Sequence, residues 1–472
     1  MKLRRIAIIG AGSIVFCKTL MLDIMATKDL EDTEFVLMAP STGKTSQVKA
    51  FADRVIKENH LKSKVTITTD RRVALRGANY VITSFQVGGV SAFELDYKIP
   101  MKYGVDQCIG DTLGPGGVFR ALRSIPVILE VAKDMEELCP NATLLNYVNP
   151  MAMICWALGE TNVKYVGLCH GVQTTLDLIA GYTGVSKQEI DYISAGINHM
   201  GWFTELSHKG VDLYPLLREK FEQPEFYVNE KVRGEVFRHF GYFMTESTGH
   251  LSEYVPWFRK NQKALDEYCD EPSFGGETGA YYTWCTYVAD KYKEQDILSE
   301  ESAALPPRSV EYCAYIIEAL ETGRTFKFSG NIRNDGMISN LPAECCAEGA
   351  VFADRTGLHR TIIGEIPPQC AALNLTNINV QRLAVLAAKS GDPETVVHAL
   401  ALDPLTSSVL TLREIREMVT EMLQAEQEWL PQFGGRLPRP TPEIPIPMDL
   451  KRAEVPIDPA LAVFSRFGEL AK

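Results

Sequence analysis

No apolar stretch of the 472-residue chain approaches the ~20 residues that cross a bilayer, so no membrane partner is expected. Basic residues are not in excess, because the formal net charge is −12, and this argues against a broad nucleic-acid-binding surface. The CxxC and HExxH patterns are both missing, which argues against a zinc site built from protein ligands alone. Eleven cysteines are present but lack the spacing of a disulfide framework, and this predicts free thiols in a reducing cytoplasm.

Short apolar segments predict β-strands along the first part of the chain, and helical patterns lie between them. The predicted strands cover residues 3–9, 34–38, 65–68, 80–84, 143–148, 163–168 and 190–195. Helices are predicted over residues 42–58 and 117–138. The alternation of strands and helices predicts an α/β fold with a Rossmann-type, doubly wound parallel sheet.

Composition changes along the chain and predicts three parts. Residues 1–196 are expected to form a dinucleotide-binding Rossmann domain. Residues 197–433 are richer in long helical patterns, among them 380–402 and 412–430, and predict an α-rich mixed α+β domain. Residues 434–472 form a tail with seven prolines, which predicts extended or partly disordered chain.

A glycine loop follows the first predicted strand and opens a helix. It reads Gly10-x-Gly12-x-x-Val15, so the third glycine of the dinucleotide fingerprint is absent. Its position at the start of a βαβ pattern favours a pyrophosphate site, and the alternative is a tight turn that binds nothing.

The end of the second predicted strand lacks the carboxylate that is typical of NAD-binding folds. Ala39 stands where a carboxylate would bind the ribose 2′-hydroxyl of NAD. Ser41, Thr42 and Lys44 follow, and such a loop either accepts the 2′-phosphate of NADP or is merely solvated. The cofactor is therefore expected to be NAD or NADP.

Polar residues cluster after two further predicted elements. Asp111 precedes a glycine-rich turn and a helix, on which Arg120 and Arg123 are spaced to face a similar side. Asn149 follows a strand, where ligands bind in open α/β sheets. These residues suit a polar, hydroxyl-rich substrate, although a buried structural loop is the alternative.

Two Cys/His segments are expected at the same edge of the parallel sheet. Cys169 and His170 follow the strand over 163–168, and His199 follows the strand over 190–195. A thiolate and an imidazole can hold a divalent ion. The alternative is a core cysteine and a packed histidine.

Two later polar runs contain the remaining candidate site residues. Residues 246–254 contain His250, Glu253 and Tyr254, each a possible general base, in what is otherwise a capped helix start. Residues 331–336, which begin with Asn331, predict a turn.

Taken together, these segments resemble the NAD-dependent family 4 glycoside hydrolases, most closely their α-galactosidase branch. The resemblance covers about residues 5–432. It is carried by the segments GAGSIVF, FQVGG, DTLGPGGVFRALRSIP, LLNYVNPMAM, GLCHGVQ, AGINHM, ESTGHLSEYVPWF, GNIRNDGMISNLP and LNLTNINVQ.

The resemblance implies a fold like that of lactate and malate dehydrogenases and an unusual hydrolysis. The nicotinamide takes hydride from C3 of the sugar, a base removes the C2 proton, and the C1 aglycone is eliminated. Water then adds and the hydride is returned, so the nicotinamide is recycled. A divalent ion, usually Mn²⁺, binds the C2 and C3 oxygens.

The resemblance also implies roles for individual residues. Cys169 and His199 match the metal ligands, and Tyr254 is assigned as the C2 base, with a pKa expected to be lowered beside the metal; Asp111 and His250 are competitors. The implied cofactor-binding residues are Gly10, Gly12, Ser13, Ile14, Ala39, Lys44, Gln86 and Asn149. The implied substrate-binding residues are Asn149, His170, Arg120 and Asn331.

Departures from the family pattern leave more than one sugar possible as the substrate. Gly171 stands where the α-galactosidase branch has serine, and glycine there is linked to α-glucuronides. The alternatives are therefore α-glucuronides, α-galacturonides or α-glucosides by the same mechanism. His170 argues against 6-phosphoglycosides. Two other functions, a malate-type dehydrogenase and a non-catalytic sensor, remain further alternatives. The resemblance implies a cytoplasmic homodimer or homotetramer that acts on a small glycoside.

Overall fold

A computed structural model of the chain describes residues 4–294, 297–456, 458–460, 463 and 467–468. The chain divides into two compact units, Met1–Pro438 and Arg439–Lys472. Leu3, the expected first residue of the first strand, lies outside the described residues.

The described residues of the first unit contain thirteen strands, all in one sheet. The strands are β1 (Arg4–Ile9), β2 (Thr33–Met38), β3 (Lys64–Thr68), β4 (Tyr80–Thr83), β5 (Thr143–Asn146), β6 (Lys164–Leu168), β7 (Asp191–Ile197), β8 (Met200–His208), β9 (Val211–Asp212), β10 (Phe243–Met244), β11 (Phe326–Arg333), β12 (Cys346–Asp354) and β13 (Gly357–Arg360).

Half of this sheet is the predicted Rossmann-type array. Its strands are parallel and follow the order β3-β2-β1-β4-β5-β6. The central strands are buried on both faces, which explains their continuous apolar sequences. The loops that follow β1, β4, β5 and β6 therefore emerge at one edge of the sheet, where α/β proteins bind ligands.

The other half is antiparallel, which the sequence did not predict. β11 pairs with β6, β12 with β11, and β7 with β12. The strand expected over residues 190–195 exists as β7, but it belongs to the antiparallel half and not to the parallel array. The reason is that β11 and β12, which come much later in the chain, lie between β6 and β7.

Helices cover both faces of the sheet and build the rest of the first unit. They are α1 (Ile14–Met25), α2 (Gly43–Glu58), α3 (Arg71–Leu75), α4 (Gly89–Lys102), α5 (Gly114–Leu138), α6 (Met151–Leu158), α7 (Gly171–Thr183), α8 (Tyr214–Phe221), α9 (Pro224–Tyr227), α10 (Lys231–Phe240), α11 (Thr248–Tyr254), α12 (Gln262–Tyr268), α13 (Ala280–Glu294), α14 (Ile297–Glu300), α15 (Cys313–Thr322), α16 (Pro368–Ser390), α17 (Pro393–Leu402), α18 (Pro404–Val409) and α19 (Leu412–Ala425). None of the described helices is long and apolar enough to cross a membrane.

The helix expected over residues 380–402 is in fact two helices. Gly391 has a φ of +62° and ends α16, because a left-handed residue cannot continue a right-handed helix. The Asp392 carboxylate then accepts hydrogen bonds from the N–H groups of Glu394 and Thr395 and starts α17.

In the second unit, the described residues 439–456 are exposed and contain no helix or strand. Proline removes backbone hydrogen-bond donors, which accounts for this extended chain. All eleven cysteines, which lie in the first unit, are free thiols, as the sequence predicts.

Candidate active site

The glycine loop joins β1 to α1 at the ligand-binding edge of the sheet. Gly10 has a φ of +96°, and a Cβ there would lie 2.3 Å from the Ser84 carbonyl oxygen. Its N–H donates a hydrogen bond to the Met38 carbonyl oxygen at 2.9 Å, which holds the turn against the neighbouring strand. A Cβ added at Gly12 would lie 3.8 Å from the Ala39 Cβ and would meet no closer atom. α1 begins at Ile14, directly after Ser13, so the free N–H groups of its first turn lie next to this loop, as in a phosphate-binding turn.

The ribose end of this cleft contains no carboxylate at Ala39, which is buried beyond the end of β2. Lys44 is exposed in the first turn of α2. Gln86 follows β4, and its side-chain oxygen accepts a hydrogen bond from Arg120 at 3.0 Å. Their assignment to a cofactor stays a prediction.

Cys169 and His199 lie side by side, with 3.7 Å between Cys169 Sγ and His199 Nε2. Cys169 follows β6, while His199 lies in the turn between β7 and β8 with a φ of +62°. The reasoning from parallel strand ends was wrong, because β7 runs opposite to β6, but the turn still places the imidazole beside the thiol. Burial raises the pKa of the Cys169 thiol.

His199 is held as a neutral imidazole. Burial and the charge of His250 together lower its pKa to about 4, against the opposite effect of Glu246 and Asp111. Its Nδ1 lies 3.2 Å from Thr112 Oγ1, so Nε2 faces Cys169. A neutral imidazole with one nitrogen held and the other exposed to a site is the form that binds metals.

Glu246 is a site residue that the sequence interpretation did not select. Its Oε2 lies 3.9 Å from His199 Nε2, and its Oε1 lies 3.9 Å from His250 Nδ1. Ligand atoms of His199, Glu246 and His250 all lie within 4.8 Å of one another. Cys169, His199 and Glu246 thus offer sulfur, nitrogen and oxygen ligands, which suit a divalent transition-metal ion. The start of the polar run at residue 246 was the available sequence signal.

Asp111 connects several predicted site residues. Asn149 Nδ2 donates a hydrogen bond to its Oδ2 at 2.9 Å, and His250 Nε2 lies 3.4 Å from its Oδ1. Arg120 Nη1 is 3.9 Å from Oδ2. Burial alone would raise the pKa of Asp111, but His250 and Arg120 outweigh it and hold this pKa below its ordinary value.

The pKa of His250 shifts in the opposite direction to that of Asp111. Burial alone would lower its pKa, but Asp111 and Glu246 raise it to about 9. The imidazole is therefore protonated at neutral pH and can act as a proton donor.

Tyr254, the assigned base, is buried beside this group. Its hydroxyl donates a hydrogen bond to Thr112 Oγ1 at 2.9 Å, and Thr112 in turn contacts His199. Burial raises the pKa of the Tyr254 phenol well above its ordinary value, the opposite of the lowered pKa expected from the sequence. The neighbouring Glu253 carboxylate accepts hydrogen bonds from the N–H groups of Ile109 and Gly110, which makes it part of the scaffold.

Asn331 is buried in β11, whereas the sequence predicted a turn at 331–336. Its Nδ2 donates a hydrogen bond to Glu348 Oε1 at 2.9 Å. Burial raises the pKa of Glu348 to about 7. The sequence interpretation missed Glu348, because only the pairing of β11 with β12 brings it to the site.

The two arginines of α5 have different environments. Arg123 is completely buried and pairs with Asp96 and Glu426, so it is structural and not a substrate ligand as its spacing suggested. Arg120 keeps Nε and Nη1 without hydrogen-bond partners among the described residues.

His170 lies at the outer edge of the site. Its side chain is 54% exposed, and its Nδ1 lies 3.2 Å from Glu311 Oε1. A hydrogen bond to Glu311 raises the pKa of His170. At the next position, a Cβ on Gly171 would lie 3.2 Å from Glu246 Oε1, so the glycine leaves room for that carboxylate.

Several buried polar atoms at this site have no hydrogen-bond partner among the described residues. They are Arg120 Nε, Asn198 Nδ2 and Asn331 Oδ1, while Asp111 Oδ1 and Arg120 Nη1 have ion-pair contacts alone. Such atoms are costly unless something polar pairs with them, so the donor set fits a bound metal ion and a hydroxyl-rich ligand.

Comparisons with known proteins identify the family of the chain. The model described as "Family 4 glycosyl hydrolase" matches residues 5–185, and the model of its C-terminal domain matches residues 194–406. An α-galactosidase of Rhizobium meliloti (strain 1021) is 43% identical over 439 residues, which cover 91% of this chain and 90% of that protein. An α-galactosidase of Bacillus subtilis (strain 168) is 37% identical over 436 residues, covering 91% and 100%.

The fold is also found among solved structures. The 6-phospho-β-glucosidase of Thermotoga maritima, solved with manganese, NAD⁺ and glucose-6-phosphate, has a TM-score of 0.74. It is 23% identical, and the match covers 90% of this chain and 99% of that one. With both family models matched in order and relatives of this identity along most of its length, the chain belongs to the family 4 glycosyl hydrolases.

Proposed function

We propose that this chain hydrolyses unphosphorylated α-galactosides by oxidation and elimination, with NAD or NADP and a divalent metal such as Mn²⁺. The observation that carries the proposal is the 3.7 Å approach of Cys169 Sγ to His199 Nε2 at the sheet edge that also carries the glycine loop. The choice of an α-galactoside rests on the two relatives named α-galactosidase.

Distinct residues would hold the two cofactors. Gly10, Gly12 and Ser13 would bind the pyrophosphate, while Cys169 and His199 would bind the metal, with Glu246 beside them. When bound, the nicotinamide would exchange hydride with the sugar, and the metal would polarise sugar oxygens.

The remaining residues move protons and place the sugar. Tyr254 is the proposed base for the C2 proton. Its hydroxyl is linked through Thr112 to His199, and a metal ion bound at His199 would have to lower the phenol pKa that burial raises. His250, protonated at neutral pH, suits the acid that protonates the leaving oxygen. Asp111 is its counter-ion and also fixes Asn149, which would bind a sugar hydroxyl.

A uronide is the second candidate substrate because of Gly171. Two arginines on α5 would suit its carboxylate, but Arg123 is already paired with Asp96 and Glu426. Arg120 already faces Asp111, with Nη1 3.9 Å from Oδ2, and Glu246 lies beside Gly171, so a substrate carboxylate would meet two protein carboxylates. This environment favours a neutral galactoside. A malate-type dehydrogenase, the other alternative, would accumulate reduced nicotinamide, whereas the glycosidase recycles it.

The test uses reduced protein and an aryl α-galactoside with NAD, NADP or neither, each with Mn²⁺ or with chelator. We expect release that needs both nicotinamide and metal, with no net gain of reduced nicotinamide. Release without either addition would contradict the mechanism, and stoichiometric reduction would favour the dehydrogenase. Cys169→Ser should abolish activity, while Cys139→Ser, at the opposite end of α5 from the site, should retain it.

We also propose that the protein acts in the cytoplasm as a homodimer or homotetramer. Light scattering after size exclusion should give two or four times the chain mass of 52.5 kDa. A monomeric mass in active preparations would contradict this proposal.

A further inference from the structure

Three aromatic side chains, two exposed and one half-buried, form a group on α13 and the turn before it. The rings of Tyr281 and Trp284 stack at 5.8 Å with an angle of 14° between their planes, and Phe274 lies edge-on to both. Trp284 is 47% exposed and Phe274 39%. We call Phe274, Tyr281 and Trp284 the aromatic platform. An exposed group of large apolar rings is costly in water and typically marks a binding surface.

The platform is attached to the segment that leads into Asp111. The Tyr281 N–H donates a hydrogen bond to the Cys108 carbonyl oxygen at 3.1 Å. The Gly279 N–H donates one to the Gln107 carbonyl oxygen at 2.8 Å. The platform is therefore fixed relative to the catalytic group.

One aromatic ring separates the platform from Arg120. The Phe93 ring meets Tyr281 edge-on at 5.5 Å, and the Arg120 guanidinium lies over Phe93, 5.5 Å from its centroid. Arg120 in turn faces Asp111. Tyr281 of the platform thus packs, through the buried Phe93 ring, against a side chain of the candidate active site.

This combination of groups has a specific chemical preference. The platform offers flat apolar faces, while Arg120 offers buried N–H groups without partners among the described residues. A hexose ring has one apolar C–H face and a rim of hydroxyls, so in a disaccharide one sugar can stack on the rings while the other accepts hydrogen bonds from the guanidinium. A flat protein surface would leave the guanidinium unpaired.

We propose that the aromatic platform binds the aglycone sugar of the substrate, the ring that leaves from C1. This inference rests on the proposed α-galactosidase function and specifies it, since it makes a sugar-linked galactoside the preferred substrate. Trp284, as the most exposed platform ring, would contribute most of the contact.

The experiment compares two galactosides that differ only in the aglycone. Melibiose carries a sugar aglycone, and methyl α-galactoside has none that reaches the platform. We expect Trp284→Ala to raise the KM for melibiose about tenfold and to leave that for methyl α-galactoside within about twofold. Trp284→Phe, which keeps a stacking ring, should restore most of the preference. Trp257→Ala is the matched control, because Trp257 is 36% exposed and packs against Phe240 and Phe258 instead.

Three other outcomes would overturn the inference, and one of them would also overturn the proposed function. Equal effects of Trp284→Ala on both galactosides would overturn the inference and leave the proposed function standing. A changed molecular mass of that variant would also overturn it, since the platform would then be a contact between copies of the chain. A wild-type protein that cleaves neither galactoside would overturn the proposed function and this inference with it.

Discussion

Cys169 binds a metal ion only as a thiolate, and burial raises the pKa of its thiol, so metal binding must release a proton. His199 is already neutral above its pKa of about 4 and releases none. We therefore expect the apparent Mn²⁺ affinity to rise by up to about tenfold per pH unit between about pH 6 and pH 8. Titrations followed by the electron paramagnetic resonance of free Mn²⁺ measure this. Cys139→Ser should show the same slope, and an affinity independent of pH would contradict the thiol as a ligand.

His250 has a pKa raised from 6.5 to about 9, because Asp111 and Glu246 outweigh the effect of burial. Its ion pair contributes stability that is fully present below about pH 6.5 and is lost as the pH rises through about 9. In Asp111→Asn we expect the His250 titration midpoint to fall by about one unit or more. Nuclear magnetic resonance with labelled histidine measures it, using His250→Gln for assignment.

The control for that titration is Asp177→Asn, since Asp177 pairs with Lys187 on the protein surface. Its midpoint for His250 should match the wild type. If Asp111→Asn also left the midpoint unchanged, Asp111 would not be the counter-ion.

The sequence predicted candidate site residues well where they directly follow a strand. It predicted them poorly where their role depends on contacts with residues far away in the sequence. Cys169 and Asn149 follow parallel strands as predicted, whereas His199 lies beside Cys169 although its strand is antiparallel. The spacing of Arg120 and Arg123 on one helix suggested a shared role. The guanidinium of Arg123 is instead paired with Asp96 and Glu426. Periodicity within a helix carries no information about a carboxylate 303 residues away.

At the scale of elements, the turn between β1 and α1 depends on Gly10. Gly10→Ala would force a side chain to a φ of +96° and against the Ser84 carbonyl, so we expect it to cost about 2 kcal/mol of unfolding free energy or more and to weaken nicotinamide binding. Gly12→Ala is the matched change, since its Cβ meets nothing closer than 3.8 Å. It should keep stability but weaken nucleotide binding. Urea denaturation and cofactor titration separate these effects, and equal stability of the two variants would contradict the account.

The packing of α5 against α4 and the end of α19 depends on Arg123. Its Nη1 and Nη2 lie 2.9 and 2.5 Å from the two Asp96 oxygens, and it also pairs with Glu426. Arg123→Ala would leave two buried carboxylates unpaired, and we expect it to cost about 3–5 kcal/mol. Arg382→Ala, which removes an exposed pair with Glu344, should cost under about 1 kcal/mol. Similar losses in urea denaturation would refute the structural role of Arg123.

Elements were predictable where their pattern is local. All six parallel strands and α2 were found close to their observed bounds, because continuous apolar runs and helical spacing mark them. β11 and β12 were missed, and with them the antiparallel setting of β7. Their neighbours in the sheet lie far away in sequence, and no local pattern specifies such a pairing.

At the scale of the whole molecule, the candidate site combines both halves of the family match. Asp111 and Cys169 lie in residues 5–185, while His199, Glu246 and Tyr254 lie in residues 194–406. One sheet runs through both halves. The division near residue 196 stays a prediction about domains, but neither half alone contains the site.

The central claim is hydrolysis by removal and return of the C2 proton. The most direct measurement is hydrolysis of an α-galactoside in D₂O, followed by nuclear magnetic resonance of the galactose released. The account predicts deuterium at C2, because the proton that Tyr254 removes is replaced from solvent. Complete hydrolysis with only protium at C2 would contradict it.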